Sequence, residues 1–519
     1  MNNSNKSSNS SKADKSVKAD KSVKAEKTVK AEKTVKAEKT VKADKSVKTG
    51  KSRKPINSNK SNPFTRISVL TLYLILVVLQ AFVFWYTWDK YYSSDISRIF
   101  VYKGHVVIVF IYVLLYTVFA NVYGAMRIAH LMKGDIIFSQ LIVNVFVNII
   151  MYMQICLLSY RLVHVAPMIG MTFLNMLVAI FWSFFAVEIY RLLYPPRDVL
   201  LVFCDRDPDN LVTKINSRQD KYSIKKAIHI NAGFDNVCQA MKKHGSVLLC
   251  DIPAEVRNDY IKFCFDNNIR VYLTPKLSDL ILMGSESNNL FDSPLLLLRN
   301  KGLKWEQSFA KRLLDIVVII IITIIAAVPM IIISALIWIE DGGPVFYKQE
   351  RLTLNGKVFK IYKFRSMKIN SEEEGARLCA KDDDRVTKVG KILRMAHLDE
   401  LPQIFNIIKG EMSIVGPRPE RPEIAEEYRK SIPEFSFRLK VKAGLTGYAQ
   451  VYGKYNTTPY DKLKLDLYYI EHYSIWLDLK LILMTFKIIF DKENTEGVEK
   501  DQTIATVTED VLRKKKKRR

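Results

Sequence analysis

Two adjacent carboxylates, Asp399 and Glu400, lie between cations at Lys363, Arg365 and Arg394 on one side and Arg418 on the other. The cations fall in YKFRSM (362–367), at the head of LRMAHLDELPQIFNIIKGEMS (393–413) and in IVGPRPERP (414–422). Such a set suits phosphate. Displacement at a phosphorus flanked by anionic phosphates is eased mainly by positioning and positive charge. An arginine fork binds two phosphate oxygens at once, and a proline on each side of Arg418 limits its backbone freedom. Of two adjacent carboxylates, one can attack phosphorus while the other holds Mg²⁺, which takes one or two carboxylates plus substrate phosphates. Residue types alone do not say which does which. The plain alternative is a solvated surface pair, since Asp and Glu are almost always exposed. VFKIYKF (358–364) would then be a strand with solvated lysines. Asp382-Asp383-Asp384 resembles a DxD metal site but also fits a helix cap. His397 reads as structural. KAGLTGYAQ (442–450) fits either a pocket wall or a tight turn.

The element before this cluster must position it. Leu313–Ile339 is apolar and long enough to span a bilayer, yet Pro329 lies inside it and both flanks are basic. Lys304, Lys311 and Arg312 precede it; Lys348, Arg351, Lys357 and Lys360 follow. A crossing would put one basic cluster outside, against the positive-inside rule. Proline removes a helical hydrogen bond and clashes with the preceding turn. Together these predict a re-entrant helix–break–helix hairpin over 313–339, with the break at Pro329. A proline-kinked spanning helix is the alternative.

Four further apolar runs, Ile67–Tyr86, Val106–Tyr123, Ile136–Ser159 and Val165–Tyr190, match the ~20 residues that cross a hydrocarbon core. Arg127, His130 and Lys133 after the second, and Arg191 and Arg197 after the fourth, put both ends of this bundle in the cytoplasm. A cleavable signal peptide is not expected, because the first apolar stretch starts near Ile67. DVLLVF (198–203), SVLLCDI (246–252) and IRVYLTP (269–275) read as buried parallel strands separated by helices at 236–243 and 254–267. That alternation predicts a Rossmann-like α/β module. No GxGxxG follows its first strand, so dinucleotide binding is not supported, and a structural or regulatory module is expected. SIWLDLKLILMTFKIIF (474–490) reads as an interfacial amphipathic helix.

Charge sits in the tails. Of the formal +26, residues 1–66 hold +13 and residues 513–519 hold +7, leaving +6 for everything between. This is no groove for nucleic acid. Residues 12–47 are six copies of a KADKSV/KAEKTV hexapeptide with one Val each, too apolar-poor to offset chain entropy, so a disordered tail is expected. Anionic membrane lipid is its expected partner, at about 1 kcal/mol per lysine near the surface. The six cysteines have no zinc-type spacing and read as reduced thiols. The expected domains are 1–66 tail, 67–196 bundle, 197–300 α/β module, 301–492 catalytic domain and 493–519 basic tail.

From about Lys311 to Phe490 the chain resembles the bacterial polyprenyl-phosphate glycosyl-1-phosphate transferases, through KRLLD (311–315), GGPVFYKQERLTLNGKVFKIYKFRSM (342–367), LDELPQ (398–403), GEMSIVGPRP (410–419) and KAGLTGYAQVYG (442–453). The upstream bundle and α/β module resemble the large members. One departure is Val328-Pro329, where many members carry Ser-Pro. The resemblance implies a membrane α-helical bundle, a cytoplasmic Rossmann-like α/β module and a mainly α, membrane-associated catalytic domain with a re-entrant hairpin. It implies a bacterial inner-membrane, multi-pass enzyme with its catalytic domain cytoplasmic. Such an enzyme passes a sugar-1-phosphate from a UDP-sugar, of glucose or galactose type, to undecaprenyl phosphate with release of UMP. That is the initiating step of exopolysaccharide, capsule or O-antigen synthesis. The resemblance further implies Asp399 as nucleophile and Glu400 as Mg²⁺ ligand, with Lys363, Arg365, Arg394 and Arg418 on substrate phosphates. A homo-oligomer is left open. The rivals are an enzyme that moves the sugar alone, and a non-catalytic scaffold or regulator of polysaccharide synthesis.

Overall fold

The computed structural model describes residues 63–95, 102–204, 209–216, 218–298, 302–368, 385–453 and 457–489. The hexapeptide repeats, Asp382–Asp384, Cys379 and the basic C-terminal tail lie outside the described residues. The fold is mostly helical, with several helices of membrane length and a four-stranded parallel sheet.

Four long helices open the described chain: α1 (Pro63–Thr87), α2 (Tyr102–Val122), α3 (Lys133–Ser159) and α4 (Ala166–Leu193). They match the four apolar runs, and all are long and apolar enough to cross a membrane. Apolar side chains such as Leu74, Phe110, Met153 and Phe173 stay exposed, as a lipid-facing surface requires. Polar groups inside the bundle find partners instead: Gln80 Nε2 donates to Asn175 O at 2.9 Å, and Tyr116 Oη to Gln140 Oε1 at 2.6 Å.

The chain divides into two compact units. One comprises Met1–Leu74 and Phe185–Lys276 and contains the α/β module. Strands β1 (Arg197–Phe203), β2 (Tyr222–His229), β3 (Ser246–Cys250) and β4 (Arg270–Leu273) form a parallel sheet in the order β2-β1-β3-β4. Helices α5 (Asp209–Asn216), α6 (Phe234–Lys243) and α7 (Ala254–Asp266) connect them. Leu200, Val202, Val247 and Leu249 pack against Val237, Met241, Tyr260 and Cys264 on one face. Val199, Leu201, Phe203 and Leu248 pack against Leu211 and Ile215 on the other. Burial on both faces is why β1 and β3 read as unbroken apolar runs. Edge strand β2 was not expected: Lys225 and Lys226 are exposed within it and interrupt its pattern. Among the described residues no disulfide joins cysteines.

The second unit comprises Ile75–Phe184 and Leu277–Arg519. After α8 (Leu277–Met283) and the hairpin β5 (Glu286–Leu290)–β6 (Ser293–Leu297) comes α9 (Trp305–Asp341). Over the segment 313–339 the helix is unbroken: α9 runs on through Pro329. Proline deprives only the carbonyl four residues earlier, that of Ile325, and the ladder resumes on either side. Hydroxyls of Thr323 and Ser334 bond back to Ile319 O and Met330 O, at 2.6 and 2.7 Å. Ile320, Ile324, Ile325, Val328 and Ile331 are exposed. Both ends of α9 nevertheless pack on the residues that follow it. Near the start, Arg312 donates to Ile407 O and Ile408 O, and Asp315 Oδ1 accepts from Ser413 Oγ and Ile414 N. Near the end, Ile333 and Ile337 pack on Phe364 and Leu393, and the Glu340 carboxylate accepts from Val389 N.

The remaining elements are the hairpin β7 (Phe346–Leu352)–β8 (Val358–Phe364), α10 (Lys388–Met395), a 3₁₀ turn (Leu398–Gln403), α11 (Ile404–Lys409), β9 (Ser413–Val415), α12 (Pro422–Ser431), a 3₁₀ stretch (Pro433–Lys440), β10 (Gly444–Thr446), α13 (Tyr448–Tyr452), α14 (Pro459–Glu471) and α15 (Ile475–Ile489). Helix α15 is more than interfacial. Its Asp478 pairs with Lys311 at 2.6 Å, and its Lys487 donates to Ser139 of the bundle at 2.8 Å.

Candidate active site

Alternation along β8 decides which lysine enters the site. Phe359, Ile361 and Lys363 share one face of the strand, and Phe359 and Ile361 are core residues. Lys363 is carried inward with them, at 21% side-chain exposure, whereas Lys360 stays exposed. The solvated-lysine alternative therefore holds for Lys360 and fails for Lys363. Phe364 packs on the opposite side against Ile333 and Ile337.

The carboxylates stand on the 3₁₀ turn. His397 enters it with φ 54°, in the left-handed region. Leu398 and Leu401 pack toward Ile333, Ile337 and Phe364. Asp399 and Glu400 lie between these anchors and meet the cations. Lys363 Nζ lies 2.8 Å from Glu400 Oε1 and 4.0 Å from Asp399 Oδ2. Arg418 Nη2 reaches the same Glu400 Oε1 at 2.7 Å. Asn406 ties the turn to the strand: its Oδ1 accepts from Tyr362 N at 2.9 Å, and its Nδ2 donates to Lys360 O at 2.8 Å.

The two carboxylates are electrostatically unlike. Burial works to raise Glu400, but the Arg418 guanidinium and the Lys363 ammonium outweigh it and hold Glu400 well below the ordinary carboxylate range. Asp399 is raised: burial is the largest cause, Lys363 opposes it, and the Glu400 charge adds to it. The Glu400 carboxylate in turn raises Arg418. Glu400 is thus a fixed anion holding two cations. Asp399 is the less satisfied carboxylate, the condition under which one of a pair is left to react.

Lys363, Asp399, Glu400 and Arg418 are brought together. Arg394 ends α10, where its Nε donates to Ser366 Oγ at 2.8 Å and its charge acts on Asp399. Arg365 is buried one residue beyond β8, with its backbone N–H on Val345 O at 2.9 Å. Within KAGLTGYAQ, β10 pairs parallel with β9, and Gly416 and Gly444 approach too closely for a Cβ on either. Asn406 and the KRLLD contacts carried no chemical signal in the sequence, because their partners are backbone atoms or distant side chains.

Among the described residues no cluster of three or more His, Cys, Asp or Glu side chains is arranged to hold a metal. Asp399 and Glu400 remain as a two-carboxylate set, which suits an Mg²⁺ that arrives with substrate phosphates. Both cations sit on Oε1 of Glu400.

The family model described as bacterial sugar transferase matches residues 306–492. A UDP-glucose:undecaprenyl-phosphate glucose-1-phosphate transferase of Caulobacter vibrioides is 38% identical over 190 residues, covering 36% of this chain and 71% of that protein. A UDP-N-acetylgalactosamine-undecaprenyl-phosphate N-acetylgalactosaminephosphotransferase of Aeromonas hydrophila is 34% identical over 256 residues, 47% of this chain and 60% of that protein. A UDP-glucose:undecaprenyl-phosphate glucose-1-phosphate transferase of Klebsiella pneumoniae is 38% identical over 233 residues, 44% of this chain and 50% of that protein. Against these last two, the chain spans only half to three-fifths of the relative's length.

Proposed function

Because this chain belongs to the bacterial sugar transferase family, we propose that it transfers a sugar-1-phosphate from a UDP-sugar to undecaprenyl phosphate and releases UMP. One observation carries the mechanism. Both nearby cations close on Glu400 at 2.7–2.8 Å, while Lys363 stands at 4.0 Å from Asp399, which leaves Asp399 the less closely paired carboxylate. An Asp399 oxygen attacks the phosphorus that bears the sugar, and the bond to the UMP phosphate breaks. UMP leaves, and the sugar phosphate is held as an aspartyl ester. An oxygen of undecaprenyl phosphate then attacks the same phosphorus, and Asp399 is regenerated. A carboxylate nucleophile splits one displacement into two in this way. Lys363 and Arg418 bind the donor phosphates, with Arg394 behind them; Arg365 is assigned to the phosphates by the resemblance alone. Glu400, with Asp399 beside it, would hold Mg²⁺, whose chemistry is to neutralise charge on the phosphate oxygens.

The relatives' names differ in sugar, from glucose to N-acetylgalactosamine, so they support the class of donor and leave the sugar to experiment. The product fits the initiating step of exopolysaccharide, capsule or O-antigen synthesis. The protein is proposed to sit in the bacterial inner membrane with its catalytic side in the cytoplasm, where nucleotide sugars are made. Helix α9 is proposed to bend at Pro329 and return to the face it entered, since contacts at both its ends are made with one domain. The α/β module is proposed to be Rossmann-like, the basic tail to meet anionic lipid, and the domains to follow 67–196, 197–300 and 301–492. A homo-oligomer would be compatible with all of this. Purified protein is to be incubated with Mg²⁺, undecaprenyl phosphate and a panel of UDP-sugars. Release of UMP with one sugar is expected; release of UDP, or no turnover with any sugar, would overturn the assignment.

A further inference from the structure

The turn Pro417-Arg418-Pro419-Glu420 is held by four hydrogen bonds, one on each successive carbonyl. Gly444 N donates to Pro417 O at 2.9 Å, and Leu352 N donates to Glu420 O at 3.0 Å. Between them, two arginine side chains supply the donors. Arg438 Nη2 reaches Arg418 O at 3.0 Å, and Arg351 Nη1 reaches Pro419 O at 3.1 Å. Arg438 is itself buried and fixed by carboxylates, with Asp466 Oδ2 at 2.8 Å and Glu420 Oε1 at 3.4 Å. Neither arginine is seen on Asp399 or Glu400, and nothing in the sequence around SFRLK (436–440) marks Arg438 for chemistry.

This arrangement has a consequence for Arg418. Its side chain is half-exposed, at 48%, and bonds only Glu400 among the described contacts. A half-exposed arginine has ample rotamer freedom, so its aim depends on where its backbone stands. Each proline fixes its own φ and Pro419 biases Arg418 toward extended backbone, which narrows the turn without fixing it. Donors on all four carbonyls remove that remaining freedom. We propose that Arg438 and Arg351 are positioning residues, which hold the 417–420 turn so that Arg418 faces the donor phosphates. This rests on the reading of Arg418 as a phosphate contact. Buried carboxylates on Arg438 keep the clamp in place as Arg418 exchanges Glu400 for substrate.

Full-length protein in detergent provides the test. Arg438→Lys keeps the positive charge beside Asp466 and Glu420 but lacks the second nitrogen that bonds Arg418 O. Arg351→Lys does the same at Pro419 O, from a less buried site, should the first variant fold poorly. Hydrogen exchange of the 413–424 peptide is expected to quicken by about tenfold or more in each variant, because local opening then costs less. Exchange in α14 should stay as in the parent. Donor KM should rise by about tenfold with a smaller change in kcat, since misplacement of a binding group by about an ångström is felt strongly. In an Arg418→Ala background the same replacements should add less than about twofold, as residues acting through one group are non-additive. Unchanged exchange in the 413–424 peptide, or equal KM penalties in both backgrounds, would overturn the proposal. If exchange quickens while Arg418→Ala leaves donor KM unaltered, the turn is held as proposed and the phosphate role of Arg418 is what fails.

Discussion

Asp399 and Glu400 are neighbours in sequence with opposite surroundings, and most of the proposed chemistry follows from that difference. Two cations on Glu400 stabilise its charge; burial and the Glu400 charge together make charge on Asp399 costly. An oxygen that is poorly compensated is the better nucleophile, so labelled donor without acceptor should label the protein at Asp399. Asp399→Asn should abolish both labelling and turnover; normal turnover in that variant would remove the residue from the mechanism. The raised Asp399 carboxyl also sets a pH dependence. Attack needs the ionised form, so labelling should fall as pH drops through a value above that of an ordinary Asp, about 3.9. Lys363 opposes the rise, so Lys363→Met should move this acid limb to still higher pH. A limb that stays put or moves down would mean that Lys363 does not act on Asp399.

Among the elements, α9 has the heaviest positional duty, because it joins apolar surroundings to the site at both of its ends. The KRLLD residues at its start are explained by contacts. Lys311 bonds Asp478 and Tyr469, Arg312 caps two carbonyls near the end of α11, and Asp315 holds Ser413 and Ile414. Lys311 and Asp478 are nearly inaccessible, at 6% and 1% side-chain exposure. Removing one partner leaves a buried charge, so Lys311→Met should cost about 3–5 kcal/mol of stability. Lys311→Met combined with Asp478→Leu should recover most of it, measured by thermal unfolding in detergent. Equal losses in the single and double variants would remove the ion pair as the cause. The topology of α9 has its own test. Cysteines introduced by Lys304→Cys and Lys357→Cys should both resist a membrane-impermeant thiol reagent in intact cells and react once the membrane is opened. Labelling at 357 with protection at 304 would show a crossing. Pro329→Ala restores the bond to Ile325 O and favours a straighter helix, so it should expose position 357 or abolish turnover.

At the scale of the whole molecule, charge and chemistry are separated. The N-terminal 66 residues carry half of the formal net charge and none of the site residues. If those repeats serve only to meet an anionic surface, deletion of residues 1–60 should leave turnover in detergent unchanged while weakening retention on anionic vesicles. A loss of several orders of magnitude in detergent would give the tail a part in catalysis.

Features that depend on local composition were legible without coordinates. Membrane helices α1 to α4 follow from run length and apolarity, and β1 and β3 from unbroken apolar stretches between turn signals. The paired carboxylates and the arginine between prolines are local words with recognisable chemistry. Strand β2 was missed because an edge strand with two exposed lysines has no periodic signature. Helix α9 runs on through Pro329, because one lost hydrogen bond does not end a long helix that is otherwise intact. What the tertiary structure alone decided are meetings between residues far apart in the chain. Lys363 and Glu400 are 37 positions apart, and Lys311 and Asp478 are 167. No local preference encodes such a pair. It arises only when strand alternation turns Lys363 inward and Asn406 fixes β8 against the turn that carries Asp399. The clamp on the Arg418 turn is the extreme case: its donors are ordinary arginines in sequence, and only folding places them on two adjacent carbonyls.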